Sequence, residues 1–357
     1  MTASKKRLYQ QLAIAALSVI FTLAVLELFC HFTPEGQTIL VYPSSIPGVG
    51  YQLVPGFARG ATGAYEYINQ WGFLSPDFPR EKPSGTFRIF MVGDSVVFGD
   101  VSIGRNMSDT LEFKLNAKSR SASIKHFQVV DTGVPGYATC QELAYLTHYI
   151  DTFDPDLIIV GYVMNDPERT HVPFGLDLNT GEIAPWFRVY HWIKQHDAIA
   201  KWCVARLSPL VWRLRGGVGN FGPKVAVSDP SFNVKYTLAL HDPKGEFWPA
   251  CAQCIAGLGE YQRTKKIPVL FVVFPILDEL HVPELVKVYK QVAETAKKNA
   301  LPTISLYDHL SKVDAAQMAL MQGDGIHPSE KGHIFIADVI YKYLKNHPHM
   351  LEMAGKR

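Results

Sequence analysis

The chain has 357 residues, 47% of them hydrophobic, and its 35 Lys and Arg against 33 Asp and Glu leave a formal net charge of +2. That length suits one large buried core with an appendage. The near-neutral balance gives no reason to propose a nucleic-acid partner, which would require a strongly basic stripe.

The appendage comes first. Lys5-Lys6-Arg7 precedes an apolar run from Leu12 to Phe32, about the length that crosses a bilayer core as a helix. Basic residues ahead of the span predict a cytoplasmic tip and an exported remainder. Residues 1–32 thus read as a single-pass anchor in the inner membrane of a bacterial envelope. A cleaved signal peptide is the rival, but no small-x-small cleavage pattern follows the run and it exceeds the usual h-region. Residues 33–68, rich in Pro, Gly and Tyr, read as an irregular tether or an edge hairpin.

From residue 69 to 357 the pattern is that of one domain. Apolar runs at 87–92, 127–131, 157–161, 267–273 and 302–307 have the near-continuous hydrophobicity of strands covered on both faces. Helical patterns lie between them near 106–117, 140–151, 247–265 and 283–299, with a last helix from Ser329 to Leu344. Strands alternating with helices predict an α/β fold, three layers deep, around a mostly parallel five-stranded sheet. Open sheets of this kind hold their sites at the carboxyl ends of the strands. Residues 167–246 interrupt the alternation with an aromatic-rich stretch that includes Trp186, Trp192, Trp202 and Trp212. It reads as one or two amphipathic helices, serving as a substrate wall, as plain packing or as a bilayer contact.

Four segments at the predicted strand ends carry chemistry. The first strand runs into Gly93-Asp94-Ser95, the second is followed by Gly133-Val134-Pro135-Gly136, the third by Asn165-Asp166, and Asp324-Gly325-Ile326-His327 stands near the end. A serine hydroxyl becomes a useful nucleophile when an imidazole can take its proton, and an imidazole works best when a carboxylate holds its tautomer. Asp324 and His327 lie three apart, so one short loop can present both to Ser95. Gly136 allows a close backbone approach and Asn165 carries an amide, the donor types an oxyanion requires.

In this order the four segments resemble the signature blocks of the SGNH (GDSL-like) hydrolase superfamily, in its membrane-anchored bacterial form. The likeness spans roughly residues 69–345 and includes Asn69-Gln70-Trp71-Gly72-Phe73. It implies a flavodoxin-like three-layer fold, Ser95 as nucleophile, His327 as base and Asp324 as the orienting acid. The implied oxyanion hole is the N–H groups of Ser95 and Gly136 with the Asn165 side chain. The chain departs from the pattern at Val97, where many members have Thr, at Asp131, where the second block often opens with Asn, and in the spacing of Gly161 from Asn165.

The expected activity is an extracytoplasmic serine esterase acting on acyl esters, O-acetyl groups of envelope polysaccharide first and lipid esters second. An O-acyltransferase using the same triad and a non-catalytic docking component are the alternatives. No cofactor or metal is expected, because His148, His171, His191 and His196 show no ligand spacing, and the sequence gives no oligomeric state. Asp94 and Asp166 read as structural, His333 as packing, and Asn106-Met107-Ser108 as a helix start in preference to a glycosylation acceptor. Cys251-Ala252-Gln253-Cys254 lies on a predicted helix and reads as two packed thiols, with an internal disulfide as the alternative in an oxidising compartment.

Overall fold

The computed structural model describes residues 3–31, 41–56, 58–61, 64–99, 101, 104–118, 123–168, 185, 199, 232–320 and 325–352. It divides into two units, Met1–Leu40 with Ala184–Gly216, and Val41–Ile183 with Gly217–Arg357. The aromatic-rich tryptophans at 186, 192, 202 and 212 lie outside the described residues.

In the first unit, Lys5–Cys30 is continuously helical and contains an 18-residue stretch of mean hydropathy 2.5, within helix α1 (Ala3–His31). Phe21 is 71% exposed and Ile14 64%, so the apolar surface of this helix is not consumed by packing. Near its end Glu27 accepts a hydrogen bond from the Ile199 N–H at 3.0 Å.

The second unit begins with two hairpins, β1 (Val41–Pro43) with β2 (Tyr51–Leu53) and β3 (Ala58–Ala61) with β4 (Ala64–Tyr67). The stretch read as a tether or edge hairpin therefore forms two hairpins from residue 41 onward. Tyr51 and Leu53 are buried, because their side chains supply apolar surface that the following domain covers.

The five expected strands form β5 (Thr86–Val92), β6 (His126–Asp131), β7 (Leu157–Tyr162), β8 (Val269–Val273) and β9 (Thr303–Ser305). Every pairing is parallel and the order is β6-β5-β7-β8-β9. Parallel neighbours need crossovers, and helices supply them. On one face Phe87, Ile89 and Met91 join a core with Met107, Leu111 and Leu115 of α3 (Met107–Lys118) and Ile336, Ile340 and Leu344 of α9 (Glu330–Asn346). Alternate strand residues point the other way, toward α4 (Thr139–His148), α6 (Trp248–Lys265) and α7 (Pro283–Lys298). The result is the three-layer α/β/α arrangement expected.

Two short helices complete the set, α2 (Ser95–Phe98) directly after β5 and α8 (Tyr307–Leu310) after β9. Helix α5 (Phe232–Leu240) falls inside the interruption and packs near α7. Asn106 is 2% exposed and its Oδ1 accepts from the Asp109 N–H at 2.7 Å, which is the helix start that was read. His333 is fully buried and its Nδ1 accepts from the Met107 N–H at 3.2 Å.

The reading of the CxxC requires correction. Cys254 pairs with Cys140, 114 residues upstream, while Cys251 remains a free, buried thiol. Cys140 on α4 and Cys254 on α6 have Cα atoms 5.2 Å apart, inside the range a disulfide needs. The reading as packed thiols holds for Cys251 and fails for Cys254, because helix packing brought a cysteine from a distant segment beside it.

Candidate active site

The chain leaves β5 for β6 on one side and later returns to β7 on the other, so strand order reverses between β5 and β7. In open α/β sheets such a reversal is where sites are built, outside the carboxyl ends of the strands. Ser95 follows β5 there and Asn165 follows β7.

Ser95 is the first residue of α2. Its predecessor Asp94 caps the helix by accepting from the Val96 N–H at 2.8 Å, and the Phe98 N–H reaches the Asp94 carbonyl at 3.0 Å. A short polar side chain that takes up orphan helix donors is what an N-cap needs. Val96, Val97 and Phe98 are all buried, leaving Ser95 half-buried at the surface. Val97, the departure from the family pattern, contributes packing at that turn.

His327 lies in a loop that two neighbours pin. The Leu320 N–H bonds the His327 carbonyl at 2.8 Å, the Ser329 N–H bonds Met318 at 2.6 Å, and the Leu277 N–H bonds Gly325 at 2.6 Å. Ser329 then caps α9 by accepting from the Gly332 N–H. The outcome is an imidazole Nε2 2.9 Å from the Ser95 Oγ, across 232 residues of sequence. Asp324 lies outside the described residues.

The loop 132–138 after β6 is tied down along its length. Thr132 N–H bonds Met91 at 2.9 Å and Val134 N–H bonds Gly93 at 3.0 Å. Asp131 accepts from the Gly133 N–H at 3.0 Å and from the Ser108 hydroxyl, also at 3.0 Å, so the acid at this departure from the pattern works as a loop clasp. Gly133 and Gly136 divide two tasks. A Cβ on Gly133 would stand 2.3 Å from the Phe98 nitrogen, so the loop can lie against α2 only without one. Gly136 has φ +81°, a conformation that disfavours side chains.

Sequence reasoning missed the support beneath this loop. The Tyr51 hydroxyl donates to the Pro135 carbonyl at 2.7 Å, and the Tyr137 hydroxyl donates to the Tyr51 carbonyl. Residues 41–53 therefore brace the segment that carries Gly136, a task that no local pattern reveals.

Asn165 sits half-buried in the turn after β7, where the Glu168 N–H bonds its carbonyl at 2.9 Å. Its side chain faces the fully buried Asp94, whose carboxyl is pushed up to about 6 by burial. The Val96 N–H, the His327 imidazole and the Asn165 amide oppose that shift by favouring the charged form. The structure brings an alcohol and an imidazole within proton-sharing reach, and the loop after β6 and the Asn165 side chain lie against Gly93 and Asp94, the two residues before that alcohol.

No family model and no curated protein matches the chain. Among solved structures it is similar to a lipase/acylhydrolase from Enterococcus faecalis, at 14% identity and TM-score 0.42, covering 76% of this chain and 99% of that one. It is similar to TesA at 16% identity and TM-score 0.42, over 72% and 98% of the two chains. A catalytic mutant of an acetylxylan esterase from Geobacillus stearothermophilus aligns at 13% identity and TM-score 0.42, over 73% and 95%.

Proposed function

We propose that the chain is a membrane-anchored serine esterase of the SGNH type. The observation that carries this reading is the 2.9 Å contact between His327 Nε2 and Ser95 Oγ at the strand-order reversal. In the proposed reaction His327 takes the Ser95 proton as the oxygen attacks an acyl carbonyl. The oxyanion is met by the Ser95 and Gly136 N–H groups and the Asn165 amide. His327 returns the proton to the leaving alcohol, and water then releases the acyl group by the same steps in reverse. Asp324 is assigned as the acid that orients His327, from its place three residues earlier in the sequence.

The proposed setting is the outer face of a bacterial inner membrane, with O-acetyl groups of envelope or exported polysaccharide as the first substrate class and lipid esters the second. The apolar helix over Lys5–Cys30 and the basic cluster before it support the topology. The Cys140–Cys254 pair supports an oxidising compartment.

The test is fluorophosphonate labelling of the full chain in detergent, followed by hydrolysis of acetyl and long-chain nitrophenyl esters and of acetylated glycans. The reading expects covalent labelling of Ser95 and loss of both labelling and turnover in Ser95→Ala and His327→Ala. A wild-type protein that takes no label and cleaves none of these esters sinks it.

A further inference from the structure

Beneath the proposed oxyanion-binding side lie three carboxyl groups, Asp94, Glu142 and Asp166, each essentially inaccessible to solvent. They come from three elements, the cap of α2, the first turn of α4 and the turn after β7. Among the described residues, four of their oxygens have no hydrogen-bond partner: Asp94 Oδ2, both oxygens of Glu142 and Asp166 Oδ1. The Asn165 side chain acts on Asp94 by favouring its charged form. The other Asp166 oxygen is satisfied by the Thr139 hydroxyl at 2.9 Å.

Ionised carboxylates only accept hydrogen bonds, so three of them together would leave all four oxygens orphaned, at a cost of roughly 1–3 kcal/mol or more each. Two protons close the account. A proton on Asp166 Oδ1 donates to one Glu142 oxygen, and a proton on the other Glu142 oxygen donates to Asp94 Oδ2. The electrostatic order agrees, since the strongest charge acting on Asp166 is Glu142 and the one acting on Glu142 is Asp94.

We propose that Asp166, Glu142 and Asp94 form a relay of carboxyl groups carrying two protons and one negative charge, the charge resting on Asp94, and that Glu142 is a positioning residue for the active site. Asp94 is the right terminus for the charge. Its side chain accepts from the Val96 N–H at the start of α2 and faces His327 and Asn165, both of which favour its charged form. Burial holds Glu142 and Asp166 well above the ordinary carboxyl range. The other titratable groups acting on or acted on by the trio are Tyr51, Tyr137, Tyr162 and Cys251, phenols and a thiol that burial keeps neutral. Among the described residues, neither Lys nor Arg figures among the charges acting on the three carboxyls. With the charge fixed on Asp94, the imidazolium formed at His327 is stabilised and the Asn165 amide is turned by the acid it faces. Glu142 keeps that charge in place by donating to it.

The test has two arms, and the first does not depend on the esterase reading on which the second rests. Infrared spectra of the full chain at neutral pH should contain protonated-carboxyl carbonyl absorption that weakens in Glu142→Gln. Its absence, with only carboxylate bands present, means that buried waters or ionised groups fill the site and overturns the relay. In the kinetic arm Glu142→Met, which keeps volume and loses the donor, should lower kcat about 10-fold or more with KM little changed, and move the acid limb of the pH profile upward. Glu142→Gln, whose amide can still donate, should rescue both. A Gln variant whose acid limb moves down by a full pH unit would show that a negative charge had been removed, and so would also refute the relay. If Ser95 takes no fluorophosphonate label, the esterase reading fails while the infrared result still decides the relay.

Discussion

At the scale of the residue, the site depends on groups that hold reactive atoms still. Ser95 is fixed by an acid that caps its own helix, and His327 by main-chain bonds on both sides of its loop. Asn165 is the member whose role is most open to measurement. Replacing it with Ala should lower kcat roughly 100-fold or more, the scale of one oxyanion donor, and unaltered turnover would remove it from the hole. Glu142 also makes a prediction about stability. An unfolded Glu releases its proton above about pH 4.3, whereas the folded protein keeps it, because burial holds this carboxyl up. Stability is therefore lost as pH rises from that point toward the folded value. Glu142→Gln has no proton to lose, so its melting temperature should match the parent near pH 4 and exceed it at pH 8. An equal gap at both pH values would refute the assignment.

At the scale of the element, two cross-links join segments that are far apart in the chain. The Cys140–Cys254 bond joins α4, which begins just after the Gly136 loop, to α6 and closes a 114-residue separation. Such a loop loses much conformational freedom in the unfolded chain, and Cys254→Ser should cost about 2–4 kcal/mol in denaturant unfolding. Peptide mapping without reductant should find 140 linked to 254 in both the parent and Cys251→Ser. A Cys251–Cys254 link in the parent would contradict the pairing. The second cross-link is Arg88, fully buried in the middle of β5. Its guanidinium donates to Gln128 Oε1 at 2.7 Å and to the carbonyls of Pro79, Arg80 and Phe153 at 2.8–3.0 Å, with its carbon 4.9 Å from the Phe78 ring centre. Arg88→Met would strand those acceptors in the interior, and a loss of about 3 kcal/mol or more is expected in the same unfolding assay.

At the scale of the whole molecule, α1 presents apolar side chains outward along its length. Twenty-nine helical residues reach about 44 Å at 1.5 Å each, more than the roughly 30 Å of a bilayer core. The full chain expressed in bacteria should stay in the membrane pellet after alkaline carbonate extraction. Recovery in the supernatant would rule out a spanning helix. The exported side proposed for the domain is also the side on which a Cys140–Cys254 bond would persist.

Much of this was legible in the residues themselves. Runs such as Phe87–Val92 and Leu157–Val160 are strands because continuous apolar character fits a doubly covered sheet, and their ends located Ser95, Gly136 and Asn165. Local physics sufficed there, since hydrophobic period and turn chemistry act over a few residues. The partner of Cys254, the brace from Tyr51 to the Gly136 loop and the burial of the Glu142 carboxyl were decided only by the tertiary structure. The one local hint at Glu142 was its helical spacing from Tyr145 and Leu146, both buried on the same face. Each of these contacts joins segments far apart in the chain, and the preference that forms it exists only after packing has removed water and set the distances.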